Sequence, residues 1–165
     1  MNDRFLACSA PLLVALALGS CASGSVGTAP DGVLAHLAHP DAVEIYALDP
    51  SPPGSRELDA SVPVFHEYEV LGRATLSSSA ERDELLALVE RGIEDSDGRA
   101  ARCFIPRHGI GVVKDGVQWD YVICFECLWM RVYRDDVRVE QQLTTDGPRD
   151  AVTALFERHG LTIAP

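Results

Sequence analysis

The apolar and polar positions of this chain alternate between two periods, one of strands and one of helices, and the switches between them divide it into elements. Residues 30–40 show a weak helical pattern with Val33, Leu34 and Leu37 on one side. Residues 42–48 then read as a strand, closed by the turn-rich Asp49-Pro50-Ser51-Pro52-Pro53-Gly54. Val62, Val64, His66, Tyr68 and Val70 alternate with Pro63, Phe65, Glu67, Glu69 and Leu71, so 62–76 predicts one long or bent strand with a single face on the core. Ser78-Ser79-Ala80-Glu81 has the form of a capping box. It opens a helix whose stripe is Leu85, Leu86, Val89 and Ile93 and whose end is Asp95-Ser96-Asp97-Gly98. Three β-like runs follow at 102–113, 117–134 and 137–145, with hairpin turns at Lys114-Asp115-Gly116 and Arg134-Asp135-Asp136. A last helix is signalled by Asp146-Gly147-Pro148 and by Val152, Leu155 and Phe156, and it stops at Gly160.

This order predicts an α+β fold: an antiparallel sheet of about five strands with two helices packed on one face, a two-layer sandwich. The sheet face left open is then the natural surface for a partner. With 165 residues the chain has room for one domain, and its 47% apolar and 24% charged residues are an ordinary globular balance. The net charge of −11 repels phosphate backbones, which argues against nucleic acid as a partner.

The first residues change the picture. Positions 5–18 are an apolar run preceded by Arg4, too short for a comfortable membrane span but of the length of an export signal. Leu18-Gly19-Ser20-Cys21 then resembles the lipobox of bacterial lipoproteins. That resemblance implies a signal peptide over 1–20, a Cys21 carrying diacylglycerol and an N-acyl chain such as palmitate, a tether over 21–31 and a single domain over 32–165. More than one buried acyl chain gives stable anchoring. Ala22 after the cysteine, rather than Asp, implies by the same resemblance the outer membrane, facing the periplasm. Asp3 departs from the usual n-region, because it offsets Arg4.

Cysteine arithmetic frames the remaining chemistry. Cys8 leaves with the signal and Cys21 carries lipid, so the domain holds Cys103, Cys124 and Cys127, an odd number in an oxidising compartment. Cys103, His108, Cys124 and Cys127 form a Cys₃His set spaced C-x4-H-x15-C-x2-C, which suits zinc, or copper as the soft Cu(I) ion. Against it, Cys124 and Cys127 lie in a strand-like run, where residues three apart face opposite ways. The second reading is a disulfide of Cys103 with Cys124 or Cys127 and one spare thiol. The third is thiol chemistry, with Cys124 and Cys127 as a redox dithiol or one cysteine activated by His108, Arg107 and His108 being the cations near in sequence.

Cys103-Phe104-Ile105-Pro106-Arg107-His108-Gly109 followed by Ile123-Cys124-Phe125-Glu126-Cys127 also resembles a pattern found in uncharacterised exported proteins and lipoproteins of bacteria; that resemblance brings no activity with it. His36 and His39 read as solvated residues, His66 as a half-buried strand histidine, and His159 as a cation at a helix C-terminus. Glu67, Glu69 and Glu126 read as the wet face of strands. Phosphate loops, nucleophile elbows and His-Glu-x-x-His helices are missing from the sequence. The expectation is therefore a lipid-anchored, non-catalytic binding or structural module with an envelope partner, and its alternative is a metal-binding or thiol-active domain.

Overall fold

The computed structural model describes residues 34, 37–55 and 59–165. The expected signal peptide, Cys21, the expected tether and most of the 30–40 helical pattern lie outside the described residues. Within them the order is β1 (Ala42–Leu48), β2 (Val64–Phe65), β3 (Tyr68–Thr75), α1 (Ser79–Glu94), β4 (His108–Lys114), β5 (Val117–Cys124), β6 (Trp129–Arg134), β7 (Val137–Leu143) and α2 (Arg149–Arg158). The strands make one antiparallel sheet in the order β2-β3-β1-β4-β5-β6-β7. The fold is thus α+β, with an antiparallel sheet and two helices, but the sheet has seven strands rather than about five.

The difference comes from two runs that each contain a turn. The 62–76 run breaks at His66-Glu67, a two-residue hairpin turn fixed by the pairs Val64↔Glu69 and Phe65↔Tyr68. His66 takes φ +55°, which histidine tolerates better than most residues, so no Gly or Asn marks the turn. The 117–134 run breaks between β5 and β6 at residues 125–128, where Phe125 and Cys127 are as buried as any strand residue and hide the turn in an apolar stretch. The two signalled hairpins do form. Asp115 and Gly116, and likewise Asp135 and Asp136, all have positive φ, the pairing that matches the right-handed twist of the flanking strands.

Helix α1 is capped by Ser78, whose hydroxyl accepts from the Glu81 N–H at 3.4 Å. Its Leu85, Leu86 and Val89 join Val152, Leu155 and Phe156 of α2 over Val43, Ile45, Ile110, Val112, Tyr121, Ile123, Met130 and Val132 of the sheet. The opposite face is not bare. A second cluster of Leu48, Phe65, Tyr68, Val122 and Tyr133 packs there with Tyr46, Val70 and Phe104.

Strand β4 separates the two sides. His108, Ile110 and Val112 alternate with Gly109 and Gly111, so the second face has a floor without side chains. A Cβ on Gly109 would meet the Phe65 ring at 2.8 and 2.9 Å, whereas one on Gly111 would meet the Gln118 amide and the Asp120 carboxylate at 3.1 and 3.2 Å. Gly109→Ala should therefore cost about 1–3 kcal/mol by displacing a ring, and Gly111→Ala should cost less, because ends of polar side chains can give way. Urea denaturation midpoints check this, and equal midpoints for Gly109→Ala and the parent would mean that Phe65 is not seated on the sheet.

Candidate functional site

On the glycine floor of the second face four rings lie in a row. Tyr46 stacks on Phe65 with centroids 4.2 Å apart, Phe65 meets the His66 ring edge-on at 4.8 Å, and His66 stacks on Tyr133 at 3.6 Å. The positive φ of His66 and the contacts of its ring with its neighbours direct Nε2 at Asp120 of β5, 2.9 Å from Oδ2. The two side chains are only 8% and 6% exposed. A buried carboxylate needs a partner, and Asp120 has two, because Gln118 Nε2 donates to its other oxygen at 2.5 Å. Asp120 finds room for its carboxylate because its cross-strand neighbour on β4 is Gly111.

Asp136, at the exposed β6–β7 turn, completes the group: one ligand atom from each of His66, Asp120 and Asp136 lies within 4.8 Å of the others. Nearby, Tyr46 Oη donates to Glu44 at 2.6 Å, and burial first, then that hydrogen bond, raise the phenol above its ordinary pKa. The site therefore brings an imidazole nitrogen and two carboxylates together where one side opens to solvent through Asp136. Such a set can hold a proton between His66 and Asp120 or share a cation.

The residues singled out in the sequence go elsewhere. Cys103 is bonded to Cys127, with Cα atoms 5.7 Å apart, and Cys124 is a buried free thiol. The Cys127 N–H donates to Cys124 Sγ at 3.2 Å across the turn, and burial pushes this thiol above its usual pKa. His108 lies away from all three. Its strand partner is Ile123, so its ring shares the helix side with Ile123, while the next residue, Cys124, faces the other way. The ring sits edge-on to Phe125 and Phe156, and Nε2 is 3.0 Å from Thr153 Oγ1 of α2. The Cys₃His set for zinc or copper is not assembled, because two of its thiolates form the disulfide and its histidine is on the opposite side of the sheet.

Arg107 lowers the Cys124 thiol less than burial raises it. It binds Glu126 at 3.2 Å and donates to the main-chain oxygens of Ala164 and Pro165 at 3.0 and 2.7 Å.

Asp120 and Asp136 are not among the residues that the sequence singles out. Asp120 had a signal: it is the one charged residue in the apolar stretch Trp119-Asp120-Tyr121-Val122-Ile123-Cys124-Phe125, and a central-strand carboxylate is rare without a dedicated partner. Asp136 had none, since Asp at a hairpin turn is explained by its backbone. His66 was visible, but as a strand residue, and its placement in the turn is what aims it at Asp120.

Two measurements follow from this arrangement. Burial, with Arg107 and Arg149 adding to it, pushes the His108 imidazole down from 6.5 to about 4. The folded protein then binds fewer protons than the unfolded chain between those values. Stability is fully present above pH 6.5, falls as pH drops towards about 4, and levels off below, by on the order of 3 kcal/mol in all. In His108→Gln that component of the slope should vanish; equal slopes for parent and variant would show that His108 titrates normally. Reduction of the Cys103–Cys127 bond should lower stability by about 2–4 kcal/mol, and denaturation without reductant should expose one reactive thiol among the three domain cysteines. No family model matches the chain, and neither a curated protein nor a solved structure does.

Proposed function

We propose that the chain is a lipid-anchored cell-envelope protein. It is exported, cut before Cys21 and held by its acyl chains on the periplasmic side of the outer membrane. Residues 32–165 then act as a non-catalytic binding module, built as a two-layer arrangement of helices on a sheet. The anchor rests on the lipobox-like Leu18-Gly19-Ser20-Cys21 behind an export signal.

One observation supports the binding role above the others. Both helices pack against the same side of the sheet, while the opposite side carries a row of aromatic rings that includes a buried imidazole–carboxylate pair beside the exposed Asp136. A face that only covered a core would have no use for an ionisable pair within it. Thiol chemistry is disfavoured as the alternative, since Cys103 and Cys127 share a bond and burial keeps Cys124 protonated.

The anchor is tested on the full chain in a Gram-negative host. The expected product begins at Cys21, carries the added mass of diacylglycerol and an acyl chain, and fractionates with the outer membrane, whereas Cys21→Ser stays unlipidated. An unchanged mass when lipoprotein signal processing is blocked by globomycin would overturn the assignment.

A further inference from the structure

We propose that His66, Asp120 and Asp136 form a site for one divalent metal ion of the zinc class, a ligand set unrelated to the cysteines. The inference rests on the reading of the second sheet face as the binding face and names what it binds. Three separate elements supply the ligands: the β2–β3 turn, the middle of β5 and the β6–β7 turn. Their ligand atoms already lie within 4.8 Å of one another.

The pair at the base of the site has the spacing an ion needs. His66 Nε2 and Asp120 Oδ2 are 2.9 Å apart. An ion bonded to both at about 2.0–2.2 Å fits between them with only a small widening. Asp136 closes the site from solvent as third ligand, leaving at least one position for water or a group on a partner.

The surroundings are those of a supported site. Gln118 holds the oxygen of Asp120 that does not face His66, so the carboxylate cannot rotate freely and Oδ2 stays aimed at the imidazole. Tyr133 on the ring face and Phe65 at the edge fix the imidazole plane. Imidazole with two carboxylates favours zinc, manganese or iron(II) over calcium and magnesium, which take oxygen ligands alone. The net charge of −11 draws cations towards the protein without choosing the place, and the three residues choose it.

The probe is Zn2+ titrated into the full chain, purified in detergent and stripped with chelator, by calorimetry and by native mass spectrometry. One ion per chain is expected. Asp136→Asn, at an exposed turn where asparagine tolerates the positive φ, should weaken it at least tenfold without changing the unfolding midpoint of the metal-free protein. His66→Asn should abolish it. Cys124→Ser should bind as the parent does, and Co2+ in the site should give a spectrum without a thiolate charge-transfer band. Zinc that binds without stoichiometry, or equally well in Asp136→Asn, would overturn the proposal. The mass of the metal-free chain reports lipidation in the same sample, so the anchor and the metal site can fail separately.

Discussion

Strand β4 sets the two sides of this molecule. It runs through the middle of the sheet and offers full-sized side chains in one direction and hydrogen atoms in the other, through the alternation His108-Gly109-Ile110-Gly111-Val112. The large side needs covering, and α1 and α2 cover it with Leu85, Leu86, Val89, Val152, Leu155 and Phe156. On the glycine side, space equal to two missing side chains lies beneath the rings of Phe65 and Tyr46. The β2–β3 hairpin folds over that space, and this brings His66 to a strand from which it is 54 residues distant in sequence. Without the floor, Phe65 could not seat, the hairpin would stand off the sheet, and Asp120 would be a buried charge with no imidazole beside it.

How much of this was legible depended on whether a local pattern carried it. Both helices, the Ser78 cap and the Asp115-Gly116 and Asp135-Asp136 hairpins were legible, because each is a short-range rule: a stripe, a side-chain cap, a pair of residues that accept positive φ. The missed turns broke no such rule. At His66-Glu67 the alternation simply continues through a two-residue hairpin, and at 125–128 the turn is lined with residues as apolar as the strands. The candidate site lay beyond reach for a further reason. Its three members come from three turns or strands whose adjacency is fixed only by the sheet order, whereas the cysteine motif stood close in sequence and drew attention for that reason.

His66 and His108 show how the same side chain is put to opposite uses by the face it points to. His108 lies among Phe125, Phe156 and Thr153, with arginines near enough to oppose a positive charge, and it stays neutral as a packing residue with one polar contact. His66 also lies against aromatic rings, but its free edge meets a carboxylate. Sequence spacing grouped His108 with the cysteines; the parity of the strand put it on the other side of the sheet from Cys124. A two-residue period decides such questions more firmly than proximity in the chain does.

Histidine is the partner of Asp120, as it is of Asp83 through His39 and of Glu81 through His159, but of these three pairs the one with Asp120 is nearly closed to solvent. Glu67, Glu126 and Glu84 are each met by an arginine, Arg131, Arg107 and Arg158, and these pairs sit at or near the surface, where they fasten loops and helices. An arginine opposite Asp120 would have satisfied the carboxylate equally well, and permanently, since a guanidinium neither gives up its charge nor offers a lone pair. Imidazole differs in that its ring nitrogen can offer a lone pair. In the proposed site the group that hydrogen-bonds Asp120 would thereby serve as its co-ligand. What sets this pair apart from the other histidine–carboxylate pairs is its burial together with the exposed Asp136 beside it, and the proposed binding role rests on that placement.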